Sequence, residues 1–170
     1  MIHGPRDFGV PWLRYRLLRH LLPAPVAVPI DFERIASAGK PDEIWRLLGD
    51  KVGASHPLTP DNVIRAVAHR LSYNMEDLVV RVDNCLEHGP GHFADVLSDF
   101  WVPLSEGVQA YWNEHPREKR YGQLWGLFFS EYPTANDREL QMAPALQIAG
   151  QHRRFLKVLE STRNFSQDEI

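Results

Sequence analysis

The chain has 170 residues, 44% hydrophobic and 24% charged, with a formal net charge of -3. That balance describes a globular domain with enough apolar residues for one core. It excludes the disordered class and disfavours a protein that wraps nucleic acid. A single cysteine, Cys85, excludes an intrachain disulfide, and no apolar run approaches the roughly 20 residues that a bilayer crossing needs, so a cytoplasmic protein without a membrane partner is expected.

Taken in chain order, the apolar spacing predicts helices almost throughout. Leu13, Leu17 and Leu21 make one stripe of a helix over residues 12–22, and the prolines of "PAPVAVPID" turn the following stretch into an extended connector. Asp31 is positioned to cap a short helix reaching Ile35, and Pro41 opens another that runs to Leu48 and stops at Gly49. Thr59 and Pro60 give the clearest start signal, an N-cap followed by proline at the first helical position, ahead of the stripe Val63, Ile64, Val67, Leu71. Asn74 is expected to cap a further helix reaching Leu86, in which Cys85 is a small buried hydrophobe.

"HGPGH", residues 88–92, reads as a turn between two helices, because Gly89, Pro90 and Gly91 oppose a continuous one. Phe93, Val96, Leu97, Phe100 and Trp101 then fit a helical period that Pro103 ends, and Ser105 caps a helix that lasts until Pro116. Residues 118–132 are read as a helix with Tyr121, Leu124, Trp125 and Phe128 on its inner stripe and Phe129 nearer its edge. "NDRE" has capping-box spacing, a last helix starts near Pro144, and residues 161–170 form a polar tail. The expectation is an all-α single domain over residues 1–160, a bundle of about eight short helices.

Four groups of residues carry possible chemistry. His92, Asp95 and Asp99 fall on one polar helical face with His88 just before them, a set suited to a divalent metal or to acid–base work. The stretch Val67 to Val82 resembles a helix-turn-helix within the segment 59–86, with Ala68 at the small packing position and Leu78 in the second helix; that resemblance implies a DNA-binding regulator. Against it, Glu76 and Asp77 would open the recognition helix, and Ser72 stands where the family has glycine. Arg81 and His88, separated by six residues, resemble the Arg/His spacing of the all-helical HEPN ribonucleases, which implies a dimeric RNA-cleaving site. Finally, the aromatic run around Trp125 and Phe129, preceded by Arg117 and Arg120, has the composition of a protein interface.

No glycine-rich phosphate loop, serine nucleophile elbow or paired-cysteine metal site is read in the chain, and no cofactor is expected. The leading expectation is therefore a non-enzymatic protein-binding module: an immunity- or antitoxin-like inhibitor, an adaptor, or a subunit of a larger assembly. Its partner would be a protein, with a basic surface suiting the negative charge, or a second copy of the chain. The alternative is a metal-dependent or acid–base enzyme centred on His92, Asp95 and Asp99, and the second alternative the helix-turn-helix regulator.

Overall fold

A computed structural model describes residues 2–5, 26–31, 41–73, 77–83, 90–116, 121–132 and 138–152. At its centre lie four parallel strands, β1 (Ile2–Pro5), β2 (Val26–Asp31), β3 (Leu78–Asp83) and β4 (Leu124–Tyr132), in the order β1-β4-β3-β2. Between and after them come α1 (Pro41–Val52), α2 (Pro60–Tyr73), α3 (Pro90–Val96), a π-helical turn (Leu97–Trp101), α4 (Val102–Glu114) and α5 (Arg138–Gln151). The fold is mixed α/β, which overturns the expectation of an all-α bundle of eight helices. The proposed helices 12–22 and 32–35, Cys85 and the tail 161–170 lie outside the described residues.

Two expected helices are strands, β3 and β4. A parallel strand in the middle of a sheet is covered on two faces, so it reads as an apolar run without polar alternation. "LVVRVD" is such a run: Leu78, Val79, Val80 and Val82 are all buried. Their β-branched side chains fit a pleated surface better than a helix. "LWGLFFSEY" is likewise a short apolar run, but with Phe128 buried and Trp125 exposed, and it pairs with β3 in the register Leu78↔Leu124 to Val82↔Phe128. The prolines of "VAVPID" did foretell extended backbone, and that stretch is β2, paired along its whole length with β3. Pro29 lies inside β2, the last strand of the order, where an edge position tolerates a missing donor.

The crossovers from β2 to β3 and from β3 to β4 step through the sheet in one direction. Connections of the usual right-handed kind then place both sets of helices on the same face. Accordingly Leu78, Val80, Val82 and Phe128 share one core cluster with Ile44, Leu48, Val63, Val67, Leu71, Phe93, Phe100 and Trp101. The strong helix signals were read correctly in α2: Val63, Val67 and Leu71 are buried, and Thr59 Oγ1 accepts the backbone N–H of Asn62 at 3.4 Å. Gly49 does not stop α1, which continues to Val52; the left-handed residue beyond it is Gly53, with φ 73°.

Pro103 does not end its helix either. Proline at this position has no N–H for the carbonyl of Asp99 four residues earlier. That carbonyl instead accepts the indole N–H of Trp45 on α1, at 3.2 Å. The chain widens into the π turn just before the proline, and the N–H of Val102 bonds to the carbonyl of Leu97. Ser105, expected as a cap, lies inside α4 and donates its hydroxyl to the carbonyl of Trp101 at 2.8 Å. The widened turn lets adjacent Phe100 and Trp101 both be buried. Phe100 meets Trp45 edge-on with ring centroids 5.1 Å apart, while Trp101 meets Phe128 edge-on at 5.4 Å.

Trp101 reaches Phe128 by crossing Gly126. A Cβ on Gly126 would lie 2.6 Å from two atoms of the indole ring, closer than real Cβ contacts come. Gly107 on α4 is in a comparable position against Ile64 of α2, with a Cβ placed 2.5 Å from Ile64 Cδ1, but there the obstacle is the mobile end of an aliphatic side chain. Gly126→Ala is therefore expected to destabilise the protein by about 1–3 kcal/mol, since a rigid ring must shift, and Gly107→Ala by less. Thermal unfolding of the two variants side by side checks the order.

Candidate functional site

Hydrogen bonds at the start of β3 and β4 build one end of the sheet. The N–H groups of Tyr121 and Gly122 both donate to the carbonyl of Leu71 in the last turn of α2, at 3.3 and 2.8 Å. The N–H of Gln123 donates to Asp77 Oδ1 at 2.7 Å, and the N–H of Leu78 donates to the carbonyl of Gln123 at 2.8 Å. These bonds tie the C-terminus of α2 to the entrances of both strands and satisfy a helix-end carbonyl. The indole N–H of Trp112 reaches Ser72 Oγ at 3.1 Å, so the same end of α2 is also fixed to α4.

On this braced end sit the large hydrophobic residues that the described part of the molecule leaves exposed: Tyr73 at 58%, Tyr121 at 50% and Trp125 at 45%. Trp125 is exposed because β4 alternates. Leu124 and Phe128 pack into the helix-side core and Gly126 lies under Trp101, so Trp125, of opposite parity, projects from the other face. It shares its register position with Val79 of β3. Leu124 and Phe128 were rightly expected to point inward, but Trp125 and Tyr121 were placed with them by a helical period that the strand does not have. Phe129 pairs with Ile2 in the ladder to β1, while the side chain of Phe129 and all of Arg117 and Arg120 lie outside the described residues.

The proposed metal ligands are not drawn together in the described residues. His88 lies outside them, and of His92 only the helical backbone in α3 is described. Asp95 and Asp99 are exposed, with Asp99 Oδ1 accepting the hydroxyl of Ser98 at 2.8 Å. Asp95 lies with His92 in α3, and Asp99 lies in the π turn that follows. Among the described residues no group of three or more His, Cys, Asp or Glu is placed to hold a metal ion. "HGPGH" also differs from its expected role, because β3 rather than a helix precedes it and α3 already begins at Pro90.

Both family resemblances depended on helices that are absent. Leu78–Asp83 is a strand, so the segment 59–86 has no recognition helix, and Arg81 lies on a parallel sheet rather than in an all-helical domain. The opposite, C-terminal edge of the sheet shows something that motif reading passed over. In parallel α/β sheets, ligands bind beyond the carboxyl ends of the strands. There Gly4 lies in β1, and the sequence continues Gly4-Pro-Arg-Asp-Phe-Gly9, the glycine spacing of a phosphate-cradling loop. Val10 and Pro11 stand where such a loop has lysine and a hydroxyl residue, which is why the full motif did not register. Asp83 ends β3 and is the register partner of Asp31 at the end of β2, where phosphate-binding sheets carry a magnesium-holding carboxylate. The signal available was the pairing of a short apolar run with the glycine spacing.

No helix among the described residues is long and apolar enough to cross a membrane. No protein-family model, curated protein or solved structure matches the chain.

Asp95 and Asp99 are exposed, so Asp95→Ala and Asp99→Ala are each expected to change stability by no more than about 0.5 kcal/mol. Elemental analysis of the purified protein is expected to find no stoichiometric zinc, iron or manganese. One equivalent of metal, released by either substitution, would be the contrary result.

Proposed function

We propose that the chain is a non-enzymatic protein-binding domain whose contact surface is the aromatic end of the sheet, with Trp125, Tyr121 and Tyr73 as anchors and Arg117, Arg120 and Phe129 beside them in sequence. The observation that carries this reading is the exposure of all three anchors on a substructure held rigid by the bonds to Leu71 and Asp77. Tyrosine and tryptophan bury much area for little loss of side-chain freedom, and fixed supports reduce the ordering penalty of association. A fold working as an inhibitor, adaptor or assembly subunit needs such a surface and no reaction centre. The cytoplasm suits the lone cysteine.

The other end of the sheet supports the non-enzymatic half of the proposal. A phosphate loop acts through a lysine on the β- and γ-phosphates and a hydroxyl on magnesium. Val10 and Pro11 can supply neither. The glycine spacing can shape a turn after β1 without the groups that phosphoryl transfer requires. Purified protein is accordingly expected to hydrolyse neither ATP nor GTP above background, as a malachite-green phosphate assay would show.

The surface itself is tested with two variants and a partner. The protein is expressed at native level, its stoichiometric co-purifying protein identified and remade, and the affinity measured by calorimetry; self-association is followed by sedimentation. Trp125→Ala is expected to keep the wild-type melting temperature and to lose at least about 2 kcal/mol of binding, roughly thirtyfold in Kd. Phe128→Ala, from which a buried ring is removed, is expected to lose about 3–5 kcal/mol of stability instead. Unchanged affinity in Trp125→Ala would remove this surface from consideration.

A further inference from the structure

Beside the aromatic end, the outer side of α2 borders an open groove of about 580 Å³. Its polar lining comes from Ser55, Asn62, Arg65, His69, Arg70 and Tyr111, and no lining residue is acidic. On a chain of net charge -3 this is a local reversal of sign. The groove is also preorganised. Asn62 Nδ2 donates to the carbonyls of Pro57 at 2.9 Å and Ser55 at 3.4 Å, clamping the loop after α1. Arg70 Nη1 donates to the carbonyl of Lys51 at 3.1 Å, which fixes that guanidinium against the end of α1. Gly53, in the left-handed region, lies in the rim with nothing near its absent Cβ, so the wall stays low there.

Arg65, His69 and Tyr73 follow one another at four-residue intervals along the exposed line of α2. The rings of His69 and Tyr73 are stacked with centroids 4.3 Å apart, so the cationic groove runs directly into the first aromatic anchor. Among the described residues Arg65 has no salt-bridge partner, and its guanidinium is presented to solvent.

We propose that this groove binds an acidic peptide segment of the partner protein, with carboxylates at Arg65 and Arg70 and an adjoining side chain on Tyr73. The proposal rests on the protein-binding reading above and names the chemistry that the partner brings to it. Charge complementarity selects the anion, and arginine forks suit carboxylates. Length selects a peptide over nucleic acid: a long polyanion would meet the net charge of -3 carried by the chain as a whole, whereas a short acidic segment feels mainly the charges within about 8–10 Å at physiological salt. An open trough continuous with an aromatic anchor also fits an extended chain better than a single small anion, which is held by convergent donors in an enclosed site.

The test is a random peptide-display library selected on the full chain and counter-selected on Arg65→Glu. Arg65 is exposed, so this variant is expected to keep the wild-type circular dichroism and melting temperature; Arg65→Ala and His69→Ala replace it if it does not. Enriched peptides are expected to be rich in Asp and Glu, and by fluorescence anisotropy to bind Arg65→Glu about tenfold or more weakly, with binding falling as salt is raised. Tyr73→Ala should weaken the same peptides. Failure of enrichment, enrichment of basic or neutral sequences, or indifference to Arg65→Glu would overturn the proposal. So would displacement of the peptides by millimolar inorganic phosphate or by a uridine oligonucleotide, which would make the groove a phosphate or RNA site. If the groove fails while Trp125→Ala still abolishes partner binding, only the groove inference falls. If the peptides bind as expected and Trp125→Ala is silent, only the aromatic surface falls.

Discussion

The contact of Trp101 with the bare backbone of Gly126 is the joint on which the remaining packing depends. It places the indole against Gly126 in β4 and brings the ring edge-on to Phe128, which in turn meets Phe93 at 5.9 Å. Through those rings the helices after β3 are seated on the sheet, and through Phe100 and Trp45 they are tied to α1. A side chain at residue 126 would separate the two layers at their closest approach, so the glycine acts here by its absent Cβ rather than by backbone freedom.

That joint needs two consecutive aromatics aimed at different neighbours, which a regular helix does not offer. The π turn meets this need, and Pro103 explains why it falls where it does. Removing one helical donor frees the carbonyl of Asp99, and the indole of Trp45 satisfies it across the layer. A backbone irregularity is thus converted into a link between α1 and the π turn, two elements more than forty residues apart in sequence. The line of coupling continues along α2 to Leu71, whose carbonyl receives both Tyr121 and Gly122, so the core and the exposed aromatic end are parts of one framework.

The sequence was readable where local chemistry and tertiary context agree. Thr59-Pro60 started α2 as expected, and its stripe is buried, because capping and amphipathic period are properties of the helix itself. It was misread where burial is set by neighbours remote in the chain. "LVVRVD" owes its apolar run to burial on both faces of the sheet, and short apolar runs such as this and "LWGLFFSEY" match either period. The β-branched residues of the first were the available sign. Misreading β4 placed Trp125 inward, yet the composition argument for an interface near it did not depend on the period and carries over to the strand. Of the set His92, Asp95 and Asp99, the first two lie in the regular α3 and Asp99 in the π turn, a change of period that the sequence pattern does not show.

Pro29 has a consequence for what can be added to the sheet. β2 and β1 are the outer strands of the order, and each offers a row of backbone groups to any further strand. Along β2 that row is interrupted at its centre by a residue with no N–H, whereas the proline of β1, Pro5, stands at the strand's last position. Among the described residues, an incoming strand therefore meets a proline in the middle of β2 and only at the end of β1. Uncontrolled stacking of sheets edge to edge needs two receptive edges per molecule, and of the two outer strands among the described residues one carries an imino acid at its centre.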